Sequence, residues 1–190
     1  MASSEQLKRS LAISWKEGIP ASAMLGILDY YLVPFGLFLG ASTQGIGFLV
    51  ALPQLLASIA QLAAVKLIRR VGSRLRFIVS MSVAQAALLI PMAALALVAA
   101  PIRVFLLVLL AVVYRVLNNL IGTAWGSLTS EYLPAEKRGS YFGWRSQVVG
   151  IASLVGIGIG GLLLNSMQVR APALGFFLLI LLVFRNIINN

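Results

Sequence analysis

The sequence predicts an all-α membrane protein with six transmembrane helices. Of its 190 residues, 60% are hydrophobic and only 11% are charged, and the mean hydropathy is +0.97. Soluble domains carry about 25% charged residues, so a chain this apolar cannot cover itself with polar surface in water. The apolar residues form continuous runs of about 20, the length of a helix that crosses a bilayer, whereas the strands of a transmembrane barrel alternate over about 10 residues.

Residues 1–18 form a separate N-terminal segment, which lacks the apolar core of a cleavable signal peptide. Leu7, Leu11 and Trp15 stand among basic residues there. This pattern predicts a short amphipathic helix on the cytoplasmic membrane surface, with a disordered tail as the alternative. Residues 19–190 form the predicted transmembrane bundle. Its helices are expected at residues 19–39, 46–67, 77–99, 104–125, 142–164 and 171–188.

The basic residues predict the orientation of these helices. The net charge is +10, and five basic residues crowd into the connection between the second and third helices: Lys66, Arg69, Arg70, Arg74 and Arg76. Twelve of the fifteen Lys and Arg residues fall on one side of the predicted membrane, two fall on the other, and one lies inside the fourth helix. By the positive-inside rule the basic side is cytoplasmic, and so are both termini. Between apolar runs of this length, the basic cluster favours an anchor at anionic lipid over a nucleic-acid surface.

Two opposite charges lie deep in predicted helices. Arg115 lies near the middle of the fourth helix, and Asp29 lies about ten residues into the first. With a rise of 1.5 Å per residue, both are expected close to the membrane midplane. Charges at that depth are costly and commonly functional. We expect either a proton-coupled or substrate-binding pair in a wet cavity, or a buried ion pair that only locks two helices together.

Further polar residues extend this candidate site. Asn118 and Asn119 follow Arg115 on the same face of the fourth helix, with Gly122 a turn beyond. A second, weaker polar stripe on the second helix consists of Gln54, Ser58 and Gln61. Such amide and hydroxyl groups contact a ligand or hold helices together.

Aromatic and small residues complete the set of candidates. Tyr30 stands beside Asp29 and is a candidate for the cavity lining, as are Tyr31 and Tyr114, although aromatic residues in helices more often serve in packing. In the fifth helix Ala152, Gly156 and Gly160 recur every four residues. This small-residue face lets another helix approach closely, and it also allows helices to slide past each other during a change of shape.

The residue inventory argues against an enzyme. The chain contains no Cys and no His, which removes thiolate nucleophiles, the commonest general base and the usual zinc ligands. We therefore expect no cofactor and no metal site. An intramembrane enzyme would have to rely on Asp29 or Glu131 as a carboxylate without an obvious partner.

Three stretches carry a resemblance to the major facilitator superfamily. The connection between helices two and three resembles the pattern G-x-x-x-D-R-x-G-R-[RK] of that family at Arg70, Gly72 and Arg74, with Arg69 in place of its Asp. The connection between helices four and five resembles acidic-x-x-P-x-x-x-R-G at Glu131, Pro134, Arg138 and Gly139. Arg115 resembles the helix-four Arg of drug–proton antiporters, and the fifth helix resembles their glycine pattern at Gly143, Gly156, Gly160 and Gly161.

This resemblance implies one six-helix bundle made of two inverted three-helix repeats, the N-terminal half of a transporter that works by alternating access. In such a bundle we expect Asp29, Arg115, Asn118, Asn119, Tyr30 and Gln54 at a central cavity for a small solute and protons. The resemblance places Arg70, Gly72, Arg74, Glu131, Arg138 and Gly139 in the cytoplasmic gate, whose chemistry differs here because Arg69 replaces the acidic residue. The implied partners are the lipid bilayer of the plasma (inner) membrane, the solute, and either an absent C-terminal half or a second copy of the chain.

A second class of function stays open at this point. A lone six-helix bundle has no partner against which to rock, so a 190-residue chain also fits a non-transporting membrane adaptor or a sensor module. We expect the chain to be either a fragment of a longer transporter or a half-length gene product.

Overall fold

The computed structural model describes residues 22–23, 25–97, 101–132 and 135–168. Within this part of the chain the fold is helical, with no strand. Its helices are α1 (Leu25–Phe38), α2 (Thr43–Val71), α3 (Arg74–Ala94), α4 (Arg103–Tyr132) and α5 (Ala135–Gln168). By length and composition, α2 to α5 can each cross a membrane, and α1 is a shorter apolar helix. The protein is therefore a multi-pass membrane protein.

The sequence predicts six helices, and the described residues contain five of them. The predicted sixth helix, residues 171–188, and the predicted amphipathic segment, residues 1–18, lie outside the described residues.

Several predicted helix ends are wrong. Helix α2 extends to Val71 rather than residue 67, α4 extends to Tyr132 rather than residue 125, and α5 begins at Ala135 rather than residue 142. A run of apolar residues marks only the part of a helix that suits lipid, and these helices continue with polar residues beyond it. Helix α3 is shorter than predicted and ends at Ala94, where residues 95–97 form a turn.

Two tight turns make hairpins of α1 with α2 and of α2 with α3. Gly40 has a φ of 83°, and its N–H donates to the Leu37 carbonyl at 2.9 Å, as the C-terminus of a helix commonly requires. Gly72 has a φ of 74°, and Ser73 caps the N-terminus of α3 directly after it by accepting a hydrogen bond from the Arg76 N–H at 3.4 Å. Because the connections are so short, successive helices run in opposite directions.

Helix α4 lies at the centre of the described bundle and packs against both α2 and α3. One apolar cluster, around Leu49, Leu89 and Leu107, contains residues of α1, α2, α3 and α4 and lies towards the start of α4. A second cluster around Phe77 and Leu120 joins α2, α3 and α4 towards the other end. Arg115 lies on α4 between Leu107 and Leu120, so the polar middle of the helix has an apolar cluster on either side.

Helix α5 packs closely on α1 through small residues. A Cβ added at Gly156 would overlap the backbone of Ala23, and one added at Gly26 would overlap Ser153. The Tyr31 hydroxyl donates a hydrogen bond of 2.7 Å to the Ile157 carbonyl. The opposite faces of the helices expose large apolar side chains, such as Leu62 and Leu162, as lipid-facing surfaces do.

Candidate functional site

The two deep charges form an ion pair between α1 and α4. Arg115 Nη1 lies 2.9 Å from Asp29 Oδ1 and 3.1 Å from Oδ2. The side chains of Asp29 and Arg115 remain 40% and 29% exposed, so neither charge is sealed by the described helices. Both contacts use Nη1, and the structure describes no other hydrogen bond of Arg115. A guanidinium carries five N–H donors, so most of its hydrogen-bonding capacity remains for another group.

A cavity of about 90 Å³ lies beside this ion pair. Asp29, Arg115 and Tyr114 supply its polar lining. The remaining lining residues are apolar and come from α1, α2, α3 and α4: Leu28, Leu32, Val33, Leu49, Val50, Pro53, Met92 and Ala111. The cavity can hold a few water-sized groups.

Tyr114 is the most deeply buried polar residue of this cavity. Its side chain is only 5% exposed, and its hydroxyl has no hydrogen-bond partner among the described residues. The hydroxyl atom itself is buried, and Asp29 and Arg115 line the same cavity. Leaving such a group unpaired costs about 1–3 kcal/mol, which favours occupation of the cavity by water or by a polar group of a ligand.

A second polar concavity lies further along α4. This groove, of about 360 Å³, is lined by Gln61 of α2 and by six residues of α4: Asn118, Asn119, Gly122, Thr123, Gly126 and Ser127. Asn118 Oδ1 also accepts a hydrogen bond of 3.4 Å from Gln85 Nε2. Gln85 is a buried residue of α3 that the sequence analysis did not single out, although a lone amide in an apolar run is a readable signal.

The structure brings some of the predicted cavity residues together and separates others. Asp29 and Arg115 meet, whereas Asn118 and Asn119 line the groove rather than the cavity beside the ion pair. Gln54 lines neither the cavity nor the groove, and its neighbour Pro53 lines the cavity instead. Tyr30 is 64% exposed, and its side chain is likewise outside the lining.

The predicted gate residues lie at one end of the bundle. Arg70 is in the last turn of α2, Gly72 caps that helix, and Arg74 begins α3. Glu131 is in the last turn of α4, while Arg138 and Gly139 are in the first turns of α5. Because successive helices run in opposite directions, these four helix ends share one face of the bundle.

An aromatic contact at the same end joins α4 to α5. The guanidinium carbon of Arg145 lies 4.0 Å from the ring centroid of Trp125, and the Trp125 and Phe142 rings meet edge to face at 6.2 Å. Arg145 lies in α5, within the range predicted for the fifth helix, and its guanidinium forms a cation–π contact with the Trp125 ring.

The small residues predicted for packing lie on α5, where Gly156 is buried against Ala23 and Gly160 is buried as well.

In a comparison with known families, the family model of the Major Facilitator Superfamily matches residues 18–187. No curated protein and no solved structure matches the chain.

Proposed function

Because this chain belongs to the major facilitator superfamily, a family of membrane transporters, we propose that it moves a small solute across the membrane by alternating access, with a proton carried by Asp29. The observation that carries this proposal is the Asp29–Arg115 pair beside a cavity. A pair that only locks two helices needs further hydrogen bonds for its remaining donors and lone pairs, because these offset the cost of burying the charges. Here both side chains are partly exposed, and Tyr114 presents an unpaired hydroxyl among the described residues.

The proposed coupling follows from the chemistry of this pair. When Asp29 takes up a proton it loses its charge, and its attraction to Arg115 weakens. Arg115 then becomes available to another partner, and the return of Asp29 to its charged form restores the pair. Arg115 and Tyr114 of α4 are the charged and titratable groups that line the cavity with Asp29, and α2 and α3 contribute only apolar lining residues.

The proposed architecture is a six-helix bundle of two inverted three-helix repeats, residues 19–190, in the plasma (inner) membrane with both termini in the cytoplasm. It works against a second such bundle, either in a C-terminal half or in a second copy of the chain. Two pairings support it: α1 packs on α5, and α2 packs on α4, as expected when the first three helices and the next three interlock in the same way.

The gate is proposed at the end of the bundle that carries Arg70, Arg74 and Arg138. The chemistry of closure there differs from that of the family pattern, because Arg69 occupies the position where an acidic residue is expected. Asn118 and Asn119 line the groove further along α4 towards that end.

The test uses the protein reconstituted into liposomes that contain a pH-sensitive dye. A panel of small solutes is added under an imposed pH gradient, and solute-dependent proton movement is recorded for the wild type and for Asp29→Asn. We expect the wild type to move protons with at least one solute and the variant to lose that coupling. Leu162→Ala, which alters an exposed apolar residue of α5 outside the cavity lining, serves as the control and should behave as the wild type.

Two outcomes contradict the proposal. Undiminished, pH-dependent transport by Asp29→Asn would remove the proton-carrying role of that residue. No flux of any solute from the wild type would favour the adaptor or sensor class instead.

A further inference from the structure

The hydrogen-bonding groups left over in the cavity are mainly donors. Asp29 is the only negatively charged hydrogen-bond acceptor in the lining, and both of its carboxylate oxygens already contact Arg115 Nη1. The groups that remain are the other N–H donors of Arg115 and the hydroxyl of Tyr114, which has no partner among the described residues. A ligand that completes this site therefore has to supply hydrogen-bond acceptors, and negative charge on them strengthens the bonds.

The rest of the lining limits the charge and polarity of the ligand. Leu32, Val33, Val50 and Met92 are among its apolar walls. A sugar or polyol would leave hydroxyl groups unpaired against such walls, at a cost for each of them. A cation could not accept the hydrogen bonds that Arg115 and Tyr114 offer, and a dianion such as a phosphate monoester would bring a second charge that no other cation of the lining offsets.

On these grounds we propose that the cavity is a carboxylate subsite: it takes the head group of an otherwise apolar monocarboxylate, which accepts hydrogen bonds from Arg115 and Tyr114. This inference rests on the proposed function, since it names the substrate class of the same site. The carboxylate competes with Asp29 for Arg115, so binding of the anion and protonation of Asp29 favour each other. The volume of about 90 Å³ holds the head group, and the partly exposed flank of the ion pair leaves an opening for the apolar body.

Tyr114 becomes a specificity-determining residue in this arrangement. Its hydroxyl recognises an acceptor that lies within reach of Arg115 at the same time. Two donors in one cavity lining can each bind one oxygen of a carboxylate, whereas a carbonyl group offers a single oxygen.

The test measures binding by the purified full chain in lipid nanodiscs, with benzoate and benzamide as probes of matching shape and different charge. Calorimetric titration of the wild type should show benzoate binding about ten-fold more tightly or better, as hydrogen bonds between charged groups exceed those to neutral ones. In Tyr114→Phe, which removes only the hydroxyl, the affinity for benzoate should fall about ten-fold while that for benzamide changes little. Leu162→Ala, at an exposed apolar position of α5 outside the cavity lining, is the control and should leave both affinities unchanged.

Equal affinities for the two probes in the wild type would overturn the inference without reference to any variant. So would an unchanged benzoate affinity in a folded Tyr114→Phe protein, with folding verified from its thermal unfolding. The double variant Asp29→Asn/Arg115→Gln keeps the cavity neutral and should lose the preference for benzoate; a retained preference would place the anion site elsewhere.

The outcomes for the two proposals are separable. Selective benzoate binding without any proton-coupled flux in liposomes would contradict the proposed function and leave the carboxylate subsite standing. Proton-coupled flux of a cationic or neutral solute, without selective benzoate binding, would contradict only the subsite.

Discussion

At the scale of single residues, the Asp29–Arg115 pair combines a short contact with incomplete burial. Removing two charges from water costs several kcal/mol per ion when burial is complete, and this penalty commonly exceeds the attraction gained. At 40% and 29% exposure the penalty is smaller, and the contact of 2.9 Å is kept. Partial exposure also allows each charge to exchange its partner, which a sealed pair does not permit. The proposed function requires such an exchange of partners.

The coupling between these two residues can be measured by a double-mutant cycle. We expect Asp29→Asn and Arg115→Gln each to lower the thermal unfolding temperature in detergent, because each leaves the other charge without its partner. The double variant should recover part of the loss, with a coupling energy of about 0.5–3 kcal/mol. The pair Leu162→Ala and Arg115→Gln, on α5 and α4, provides the reference for independent sites. Simple additivity of the Asp29 and Arg115 variants would show that the contact contributes nothing to the stability of the bundle.

The sequence identified the charges of this site better than their surroundings. Depth along an apolar run predicted that Asp29 and Arg115 meet, since opposite charges in neighbouring helices at one level attract. It did not distinguish Tyr114 from Tyr30 and Tyr31, which all stand within two residues of a charge. The three differ in the direction in which the helix presents them: Tyr114 lines the cavity, Tyr31 bonds to α5 and Tyr30 is exposed. That direction depends on which helices pack on which, and a single sequence does not contain it.

At the scale of the helices, close approach and capping both depend on glycine. Where α5 crosses α1, the backbone of Ala23 occupies the space in which a Cβ of residue 156 would lie. The periodicity of small residues predicted such a face, but not which helix it meets. The helix ends were less predictable, because residues 126–132 and 135–141 continue α4 and α5 without an apolar signal.

Substitution of Gly156 tests this close approach. In Gly156→Ala the new methyl group overlaps backbone atoms, which cannot turn aside as a flexible side chain would. We expect a loss of about 1–3 kcal/mol, as for other overpacked interiors, and a fall of several degrees in the unfolding temperature. Gly158→Ala is the matched control two residues along the same helix, where nothing lies within 4 Å of the added Cβ. It should be neutral or slightly stabilising because Ala is the better helix former; equal effects at the two positions would contradict the packing of α5 on α1.

The turn between α2 and α3 gives a second test at this scale. Gly72 has a φ of 74° and no atom within 4 Å of an added Cβ, so any effect of Gly72→Ala comes from backbone conformation alone. A left-handed residue with a side chain costs about 1–2 kcal/mol, which corresponds to a fall of a few degrees in the unfolding temperature. Gly143→Ala, at a helical position with equally open surroundings, should show no such fall. An unchanged unfolding temperature in Gly72→Ala would mean that this turn takes another conformation in the bilayer.

At the scale of the whole molecule, the orientation in the membrane decides which end of the bundle forms the gate. The charge count places the basic turn between α2 and α3 in the cytoplasm. The structure adds that α2 is long enough, at 29 residues, to carry its two ends to opposite sides of a hydrocarbon core about 30 Å thick. The packing of the helices is the same whichever end of the bundle faces the cytoplasm. The orientation is therefore a prediction from the sequence that needs its own measurement.

Cysteine labelling can measure this orientation, since the natural chain contains no cysteine. Gln44→Cys and Val71→Cys place single thiols at exposed positions in the first and last turns of α2, about 40 Å apart along the helix. In intact cells, a membrane-impermeant maleimide should label Gln44→Cys and should reach Val71→Cys only after the membrane is permeabilised. The comparison uses two sites on one helix in a background without other thiols, so a difference between them reports the side of the membrane and not the reactivity of the protein. Labelling of Val71→Cys in intact cells would mean that the bundle has the opposite orientation, with Arg70, Arg74 and Arg138 at its extracellular end.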